Sequence, residues 1–379
     1  MRRCRMAMVG GGPGSFIGPV HVMAAQLDGE IELVAGAFSS RAEKSAQAGR
    51  DYRIAAERTY RNYPELLAGE QQHPERADFV AVVTPNMLHF EAARDALRAG
   101  FHVVSDKPAT ATLAEAVQLR EEVSRARKLY VLTHTYTGYP LVREARDICR
   151  SGAIGDIRKV VVEYTQGWLS ERLELSGNRQ AAWRTDPARA GAGGCIGDIG
   201  VHAFNLVEYV TGQNVATLFA VLSRIAPGRV LDDDCNVLLR LGNGAPGVLH
   251  ASQIAIGERN RLELRVYGST GSISWRQEDP NRLMVHWPDR PTETRHAGCA
   301  YLGASARQAT RLPAGHPEGY LEAFANLYRE FAAVLRRREE GDEHAWSETL
   351  CGIEAAVRGM TFIERAIESS ARSAWVQVD

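Results

Sequence analysis

Nowhere in this chain of 379 residues does an apolar run approach the ~20 residues that a membrane-spanning helix needs. A membrane protein or membrane partner is therefore not expected. The six cysteines (Cys4, Cys149, Cys195, Cys235, Cys299 and Cys351) are scattered, with no C-x-x-C pair. That spacing argues against a zinc site and for reduced thiols in a cytoplasmic protein. Charge of one sign is also missing. The 45 Lys and Arg nearly balance 46 Asp and Glu, a formal net charge of −1, so no bulk field draws nucleic acid or an anionic membrane. The opening "MRRCRMAMVGGG" has basic residues but no apolar export core. There is no internal repeat and no low-complexity segment. What remains is ordinary for a globular protein, with 45% hydrophobic and 24% charged residues. The length suits about two domains.

Glycine, by contrast, is plentiful at one place. "VGGGPGSFIGPVH" runs from Val9 to His21, after a short apolar "CRMAMV" and before "PVHVMAAQLDG", which has helical spacing. A strand, a Gly-rich turn and a helix form the first half of a phosphate-binding unit. Glycines let the backbone approach a pyrophosphate, and the helix N-terminus offers free N–H groups. The fingerprint is lengthened. With Gly10 and Gly12 as its first glycines, Gly18 arrives three residues late; with Gly12 and Gly14, Gly18 closes G-x-G-x-x-x-G.

Further along, "IELVAGAF", "ADFVAVVTP", "FHVVSDKP" and "LYVLTHT" read as strands and alternate with helical segments. One of these, Thr112 to Lys128, opens on a capping box of Thr112 and Glu115. This order predicts an α/β fold, a doubly wound parallel sheet of Rossmann type. After about Tyr136 the pattern changes. A helix from Leu141 to Ser151 precedes longer strands with "GNGAPG" and "GSTG" as hairpin turns. Two long helices follow, from about Glu318 to Arg338 and from about Ser347 to Ser369. The expected organisation is a dinucleotide-binding domain over 1–135, then an α+β domain over 136–379 with a large open, mainly antiparallel sheet, serving substrate binding and oligomerisation.

Four stretches carry chemistry: "TPNMLH" (Thr84 to His89), "SDKP" (Ser105 to Pro108), "AWRTDPARAGAGG" (Ala182 to Gly194) and "GDIGVH" (Gly197 to His202). Together with the Gly-rich turn, "VYGSTGSISW" and "HPEGYLEAFANLY", they make the chain resemble the Gfo/Idh/MocA family of NAD(P)-dependent oxidoreductases almost end to end. The resemblance implies a catalytic set of Lys107, Asp198 and His202. It implies cofactor contacts from Gly10, Gly12, Gly14, Phe16, Ile17, Ser39, Ser40, Arg41, Lys44, Thr84, Asn86, His89, Asp106, Lys107, Trp183 and Arg184. The family usually has Glu where Asp106 stands, which shortens the reach toward a nicotinamide ribose.

The residues support the same chemistry. Ligands of an open α/β sheet bind outside the carboxyl ends of its strands. Thr84, Asn86 and Lys107 stand at such ends, and Pro108 fixes the backbone beside the lysine. Asp198 and His202 are four apart on a predicted helix, so a carboxylate can orient an imidazole base. The competing assignment makes Lys107 the base, its pKa lowered by a cationic nicotinamide ring. The Asp/His pair lacks a third ligand, so no metal is expected. His134, Tyr136, Gln166, Trp168 and His316 are further substrate candidates, at strand ends or in Gly/Pro-rich loops; core packing is the competing reading for Tyr136 and Trp168. "HPEGY" is also readable as the start of a helix, with Glu318 at its positive end.

The leading expectation is an NAD(P)-dependent dehydrogenase or reductase acting on a sugar, anhydrosugar or polyol. Two alternatives stay open: glycoside cleavage with a recycled bound NAD, and a catalytically silent dinucleotide-binding regulator. An acidic residue ~20 residues beyond the glycine motif would bind the 2′-hydroxyl of NAD. Phe38-Ser39-Ser40-Arg41 stands there instead, with Lys44 nearby. NADP is therefore expected to be accepted, and preferred to NAD. A homodimer or homotetramer is expected, through the second domain's sheet.

Overall fold

The computed structural model describes residues 2–378, which divide into two compact units. The first comprises Met1–His134 and Phe324–Val357; the second comprises Thr135–Ala323 and Arg358–Asp379.

The first unit alternates β1 (Cys4–Gly10), α1 (Ile17–Gln26), β2 (Ile31–Ala37), α2 (Ala42–Asp51), α3 (Tyr63–Gln72), β3 (Phe79–Val83), α4 (His89–Arg98), β4 (His102–Ser105), α5 (Leu113–Ala126) and β5 (Tyr130–Leu132). Its five strands are all parallel, in the order β2-β1-β3-β4-β5. Every residue of β3, "FVAVV", is buried, because helices cover both faces of a parallel sheet. The strand order reverses between β1 and β3, and ligands of such sheets bind outside that switch point. The capping box on α5 is formed as its sequence predicts.

The second unit contains α6 (Pro140–Arg150), β6 (Ile157–Thr165), short helices α7 (Arg179–Arg184) and α8 (Pro187–Ala190), a π-helical turn (Ile196–Gly200) and α9 (Val201–Thr211). There follow β7 (Val215–Ser223), β8 (Asp234–Leu241), β9 (Pro246–Ser252), β10 (Arg261–Gly268), β11 (Ser272–Arg276), β12 (Arg282–His286), β13 (Glu293–His296) and α10 (Ala304–Gln308). With the terminal β14 (Val376–Gln377) they form a nine-stranded sheet, ordered β13-β12-β11-β10-β6-β9-β8-β7-β14. All its pairings are antiparallel except β6 with β9. Both predicted hairpin turns join their strands. β8 alternates buried and exposed residues, as a strand with one covered face must.

The expected domain boundary lies one residue from the break at His134, but Phe324–Val357 belongs to the first unit. The reason is packing. Phe331 sets its ring 4.7 Å from Phe79 on β3, and the Leu132 amide donates to the Cys351 carbonyl at 2.8 Å. The last two helices are α11 (Tyr320–Glu339) and α12 (Ile353–Arg372), each starting later than the sequence suggests. Cys351 bonds to β5, so the chain before Ile353 is not helical.

Candidate active site

In the first unit the candidate cofactor-binding groups are mainly main chain. Gly10 ends β1 with φ +89°, and a Cβ there would lie 2.4 Å from the Val83 carbonyl oxygen. A Cβ on Gly12 would meet the Phe38 carbonyl oxygen at 2.4 Å, and one on Gly18 would meet Gly11 Cα at 2.4 Å. Main chain thus passes close to both Gly10 and Gly12, and Gly18 packs the start of α1 on Gly11. Gly14 lies within the turn, at φ +83°. Phe16 is 62% exposed and precedes Ile17, the first residue of α1. Beyond β2, Ser39 receives the Arg41 amide on its hydroxyl at 3.2 Å, Ser40 and Arg41 are exposed, and Lys44 lies in the first turn of α2.

At the end of β3 the Thr84 hydroxyl is buried and has no hydrogen-bond partner. Asn86 is buried two residues on. An orphaned donor beside a glycine cradle fits a bound dinucleotide. His89 stands differently from its expected cofactor role. It is 1% exposed, with Nδ1 2.7 Å from the Pro108 carbonyl oxygen and Nε2 2.7 Å from the Thr84 carbonyl oxygen. It staples the Thr84 loop to the Lys107–Pro108 loop, leaving no ring nitrogen for a cofactor. Asp106 turns Oδ1 inward, to the Lys107 amide at 2.9 Å and the Thr133 hydroxyl at 3.0 Å. Lys107 is half-buried beside it. His134, expected at substrate, is 1% exposed. Burial first, and the Lys107 charge second, push its pKa down to about 3, so it is a neutral core group.

In the second unit the candidate groups are side chains. Tyr136 and Tyr164 share a hydrogen bond between their hydroxyls. The Tyr164 hydroxyl donates to Asn260 Oδ1 at 2.8 Å, and Gln166 Nε2 donates to the same oxygen at 2.7 Å. Trp168 Nε1 donates to Gln166 Oε1 at 2.9 Å. The chain runs from the buried tyrosines out to half-buried Asn260, Gln166 and Trp168. His202, on α9, packs edge-on against Tyr136 with ring centroids 4.9 Å apart. Burial holds both tyrosine hydroxyls well above their ordinary pKa, so they stay protonated and can donate.

Asp198 sits in the π-helical turn just before α9, a feature often found at functional sites. Its Oδ2 accepts from Arg184 Nε at 3.1 Å and Gln253 Nε2 at 2.9 Å. Arg184 also lies over the Trp183 ring, 4.3 Å from its centroid. Trp183 and Arg184, expected at the cofactor, thus have these partners in the second unit; Trp183 Nε1 reaches Gln180 Oε1 at 3.3 Å. The start of the turn is clamped by Asp232. Its carboxylate accepts from the Gly194 and Ile196 amides, each at 2.7 Å, and its carbonyl from the Cys195 amide at 2.8 Å. His316 is not brought in: it is exposed, with Nδ1 3.2 Å from the Pro313 carbonyl oxygen. Glu318 is not a helix-start anion either. It accepts from the Arg311 and Leu312 amides, at 2.5 and 2.7 Å, while Glu322 takes the Gly319 amide at 2.8 Å.

Sequence reasoning missed Tyr164, Asn260, Gln253 and Asp232. Tyr164 continues the buried alternation of Val160 and Val162 on β6, which is a signal for core. The other three carry no local motif.

Comparison with known proteins agrees with this architecture. Residues 4–134 match the model of the oxidoreductase family with an NAD-binding Rossmann fold, and 142–274 match the GFO/IDH/MocA C-terminal domain. An uncharacterized oxidoreductase, YfiI, of Bacillus subtilis is 32% identical over 378 residues, 98% of this chain and 96% of that protein. Levoglucosan dehydrogenase of Pseudarthrobacter phenanthrenivorans is 26% identical, with 80% of this chain and 81% of that protein covered. Among solved structures, an inositol dehydrogenase homolog from Azotobacter vinelandii, complexed with NAD+, superposes with TM-score 0.96 at 34% identity, covering 99% of this chain and 97% of that one. This chain therefore belongs to the Gfo/Idh/MocA oxidoreductases and carries their NAD-binding Rossmann domain.

Proposed function

We propose that this protein is a dehydrogenase or reductase of a sugar, anhydrosugar or polyol, with His202 as the proton acceptor and Lys107 as hydrogen-bond donor to the reacting oxygen. The observation that carries the substrate class is the polar chain of Tyr164, Asn260, Gln166 and Trp168, which Tyr136 links to the His202 ring. Amide and phenol groups set among aromatic faces suit a ring that presents both hydroxyls and C–H groups. Asp198, in the turn just before α9, pairs with Arg184 at 3.1 Å. The nicotinamide, when bound, takes or returns the hydride. Gly10 and Gly12 leave room for its pyrophosphate, and the Thr84 hydroxyl supplies an unused donor.

NADP(H) is accepted, and preferred to NAD(H). Ser39, Ser40 and Arg41 stand where a carboxylate would bind the ribose of NAD, with Lys44 close behind. The protein acts as a homodimer or homotetramer through the open face of its nine-stranded sheet. There Phe219, Leu238, Val248 and Val161 pair side by side across β7, β8, β9 and β6, and Leu238 is 48% exposed. A cytoplasmic location is supported by six cysteines, five of them buried, that form no disulfide among the described residues. No helix among the described residues is long and apolar enough to cross a membrane.

A panel of sugars and polyols, assayed by absorbance with NAD+ and NADP+, tests this reading. Stoichiometric reduced cofactor is expected with at least one substrate, and kcat/KM at least as high with NADP+. Substrate conversion with no net reduced cofactor overturns it in favour of a recycled cofactor. A tenfold higher kcat/KM with NAD+ overturns the cofactor preference.

A further inference from the structure

In the first unit the amino ends of the parallel strands form the edge opposite the glycine turn and Lys107. There β4 opens at His102, β5 opens two residues after Lys128, and Arg76 precedes β3. Strand pairing gathers these positions. The Val103 amide donates to the Leu129 carbonyl at 2.9 Å, and the His102 amide to the Asp78 carbonyl at 3.3 Å. Arg76 lies over the Phe101 ring, 4.5 Å from its centroid, and donates from Nη2 to the Gly100 carbonyl at 3.3 Å. Arg338, near the end of α11, donates from Nε to the Ala345 carbonyl at 2.9 Å. The charges of Arg338 and Arg76 both act on Lys128 and on His102. All four side chains are half-buried.

These three cations have no carboxylate of their own. Among the described residues Arg76 and Arg338 hydrogen-bond only to carbonyl oxygens, and the Lys128 ammonium has neither a hydrogen bond nor an ion pair. Two carboxylates act on the cluster, Asp78 on His102 and Asp342 on Arg338, and both are engaged. Asp78 pairs with Arg2 at 2.6 Å and accepts the Arg5 amide at 2.7 Å, while Asp342 pairs with Arg337 at 2.5 Å. Three like charges thus share one half-buried place, where solvent screens their repulsion less than at an open surface. Burial first, then Arg76 and Arg338, hold the Lys128 pKa below its ordinary value. His102 adds a neutral donor. Its Nδ1 accepts from the Leu129 amide at 2.8 Å, so the ring proton sits on Nε2, which has no protein partner among the described residues.

We propose that Arg76, Lys128, Arg338 and His102 form a binding site for a phosphate dianion, free or at the end of a phosphomonoester, distinct from the dinucleotide's pyrophosphate path. Three cations match a dianion better than a single carboxylate. The Arg338 guanidinium keeps both terminal nitrogens for a planar, two-pronged contact, and Lys128 supplies a point charge. Because the cluster lies at the amino ends of the strands, the ion binds together with the cofactor and does not compete with it. The inference is independent of the sugar-dehydrogenase reading.

The test is a calorimetric titration and a thermal melt of the enzyme saturated with NADP+, which occupies the dinucleotide path. Inorganic phosphate, glucose 6-phosphate, glucose and sodium chloride are compared at matched ionic strength, in wild type, Lys128→Gln and Lys128→Arg. Phosphate at tenfold its Kd is expected to raise the wild-type Tm by about 3–6 °C over chloride. Lys128→Gln is expected to weaken phosphate binding at least tenfold, and Lys128→Arg to restore it. In chloride alone Lys128→Gln should melt no lower than wild type, because the substitution removes repulsion and breaks no bond. Glucose 6-phosphate binding at least as tightly as phosphate, with glucose silent, identifies a phosphomonoester as the ligand; inorganic phosphate binding more tightly identifies the free ion. Phosphate that stabilises no more than chloride overturns the site. So does a phosphate response that Lys128→Gln leaves unchanged, or a Tm that Lys128→Gln lowers equally in both salts, the mark of a merely structural lysine.

Discussion

The two units position their functional groups by different means. In the first, backbone does it: Gly10 and Gly12 keep a path clear, and His89 ties two loops through carbonyl oxygens only. In the second, side chains do it: a phenol pair, two amides and an indole are linked head to tail, and Asp232 reaches back from before β8 to hold the start of the π-helical turn. A parallel sheet explains the first arrangement, since every strand ends on the same edge and short loops gather there. An antiparallel sheet brings together residues far apart in sequence, so its face must be furnished one side chain at a time. The first device suits any dinucleotide, and under the proposed function the second selects the substrate.

The comparison predicts that damage to the second unit's chemistry has the largest effect. Replacing His202 by Ala should slow alcohol oxidation by roughly 10²–10⁴-fold and remove the basic arm from the pH profile, the scale of a lost general base. Lys107→Ala should lose roughly 10² or more in turnover while cofactor affinity stays within a few-fold. If His202→Ala keeps the wild-type profile while Lys107→Arg loses its titration, the base belongs to the first unit and the division of labour is reversed.

Gly10→Ala should strike the first unit's device instead. The left-handed φ of +89° alone costs an alanine about 1–2 kcal/mol, and its Cβ would press on the Val83 carbonyl. Dinucleotide affinity, read by fluorescence titration, should fall steeply while sugar binding persists. Unchanged affinity would show that the backbone path is wider than the turn suggests.

Asp232→Asn sharpens the contrast with a smaller effect. An amide can accept from only one of the two N–H groups that the carboxylate now holds. Turnover should fall roughly 10- to 100-fold, the scale of a misplaced reacting group, with cofactor affinity unchanged and the His202 arm of the pH profile displaced. A parallel loss of cofactor affinity would point to general destabilisation.

The smallest effect is on stability. Three histidines in the first unit, His21 and His134 buried and His102 half-buried, are held neutral by desolvation: His21 with a pKa of about 4, His102 about 3 and His134 about 3, against an ordinary 6.5. The unfolded chain then binds more protons than the folded one below pH 6.5. Their contribution is complete above that pH and is lost as pH falls toward 3–4. Each tenfold weakening of proton binding on folding is worth about 1.4 kcal/mol there. Thermal melts should show Tm falling through that window. His102 Nδ1 accepts from the Leu129 amide at 2.8 Å, so His102→Gln should flatten the slope. A slope that this variant leaves unchanged would move the acid sensitivity elsewhere.

Sequence by itself determined the order of strands and helices, the parallel and antiparallel halves and the glycine turn, and it is the source of the proposal for Lys107, Asp198 and His202. These depend on local periodicity, turn residues and short motifs, and a few neighbouring residues express each of them. Tertiary structure alone decided that His89 is a staple, that His134 is a neutral core group, that His316 stays outside the polar cluster, and that Arg184 serves Asp198. It also recruited Asn260 and Asp232, and it returned Phe324–Val357 to the first unit. Each of these depends on burial and on partners dozens of residues away. A side chain's neighbours on a folded sheet are set by strand pairing, which no local pattern along the chain contains.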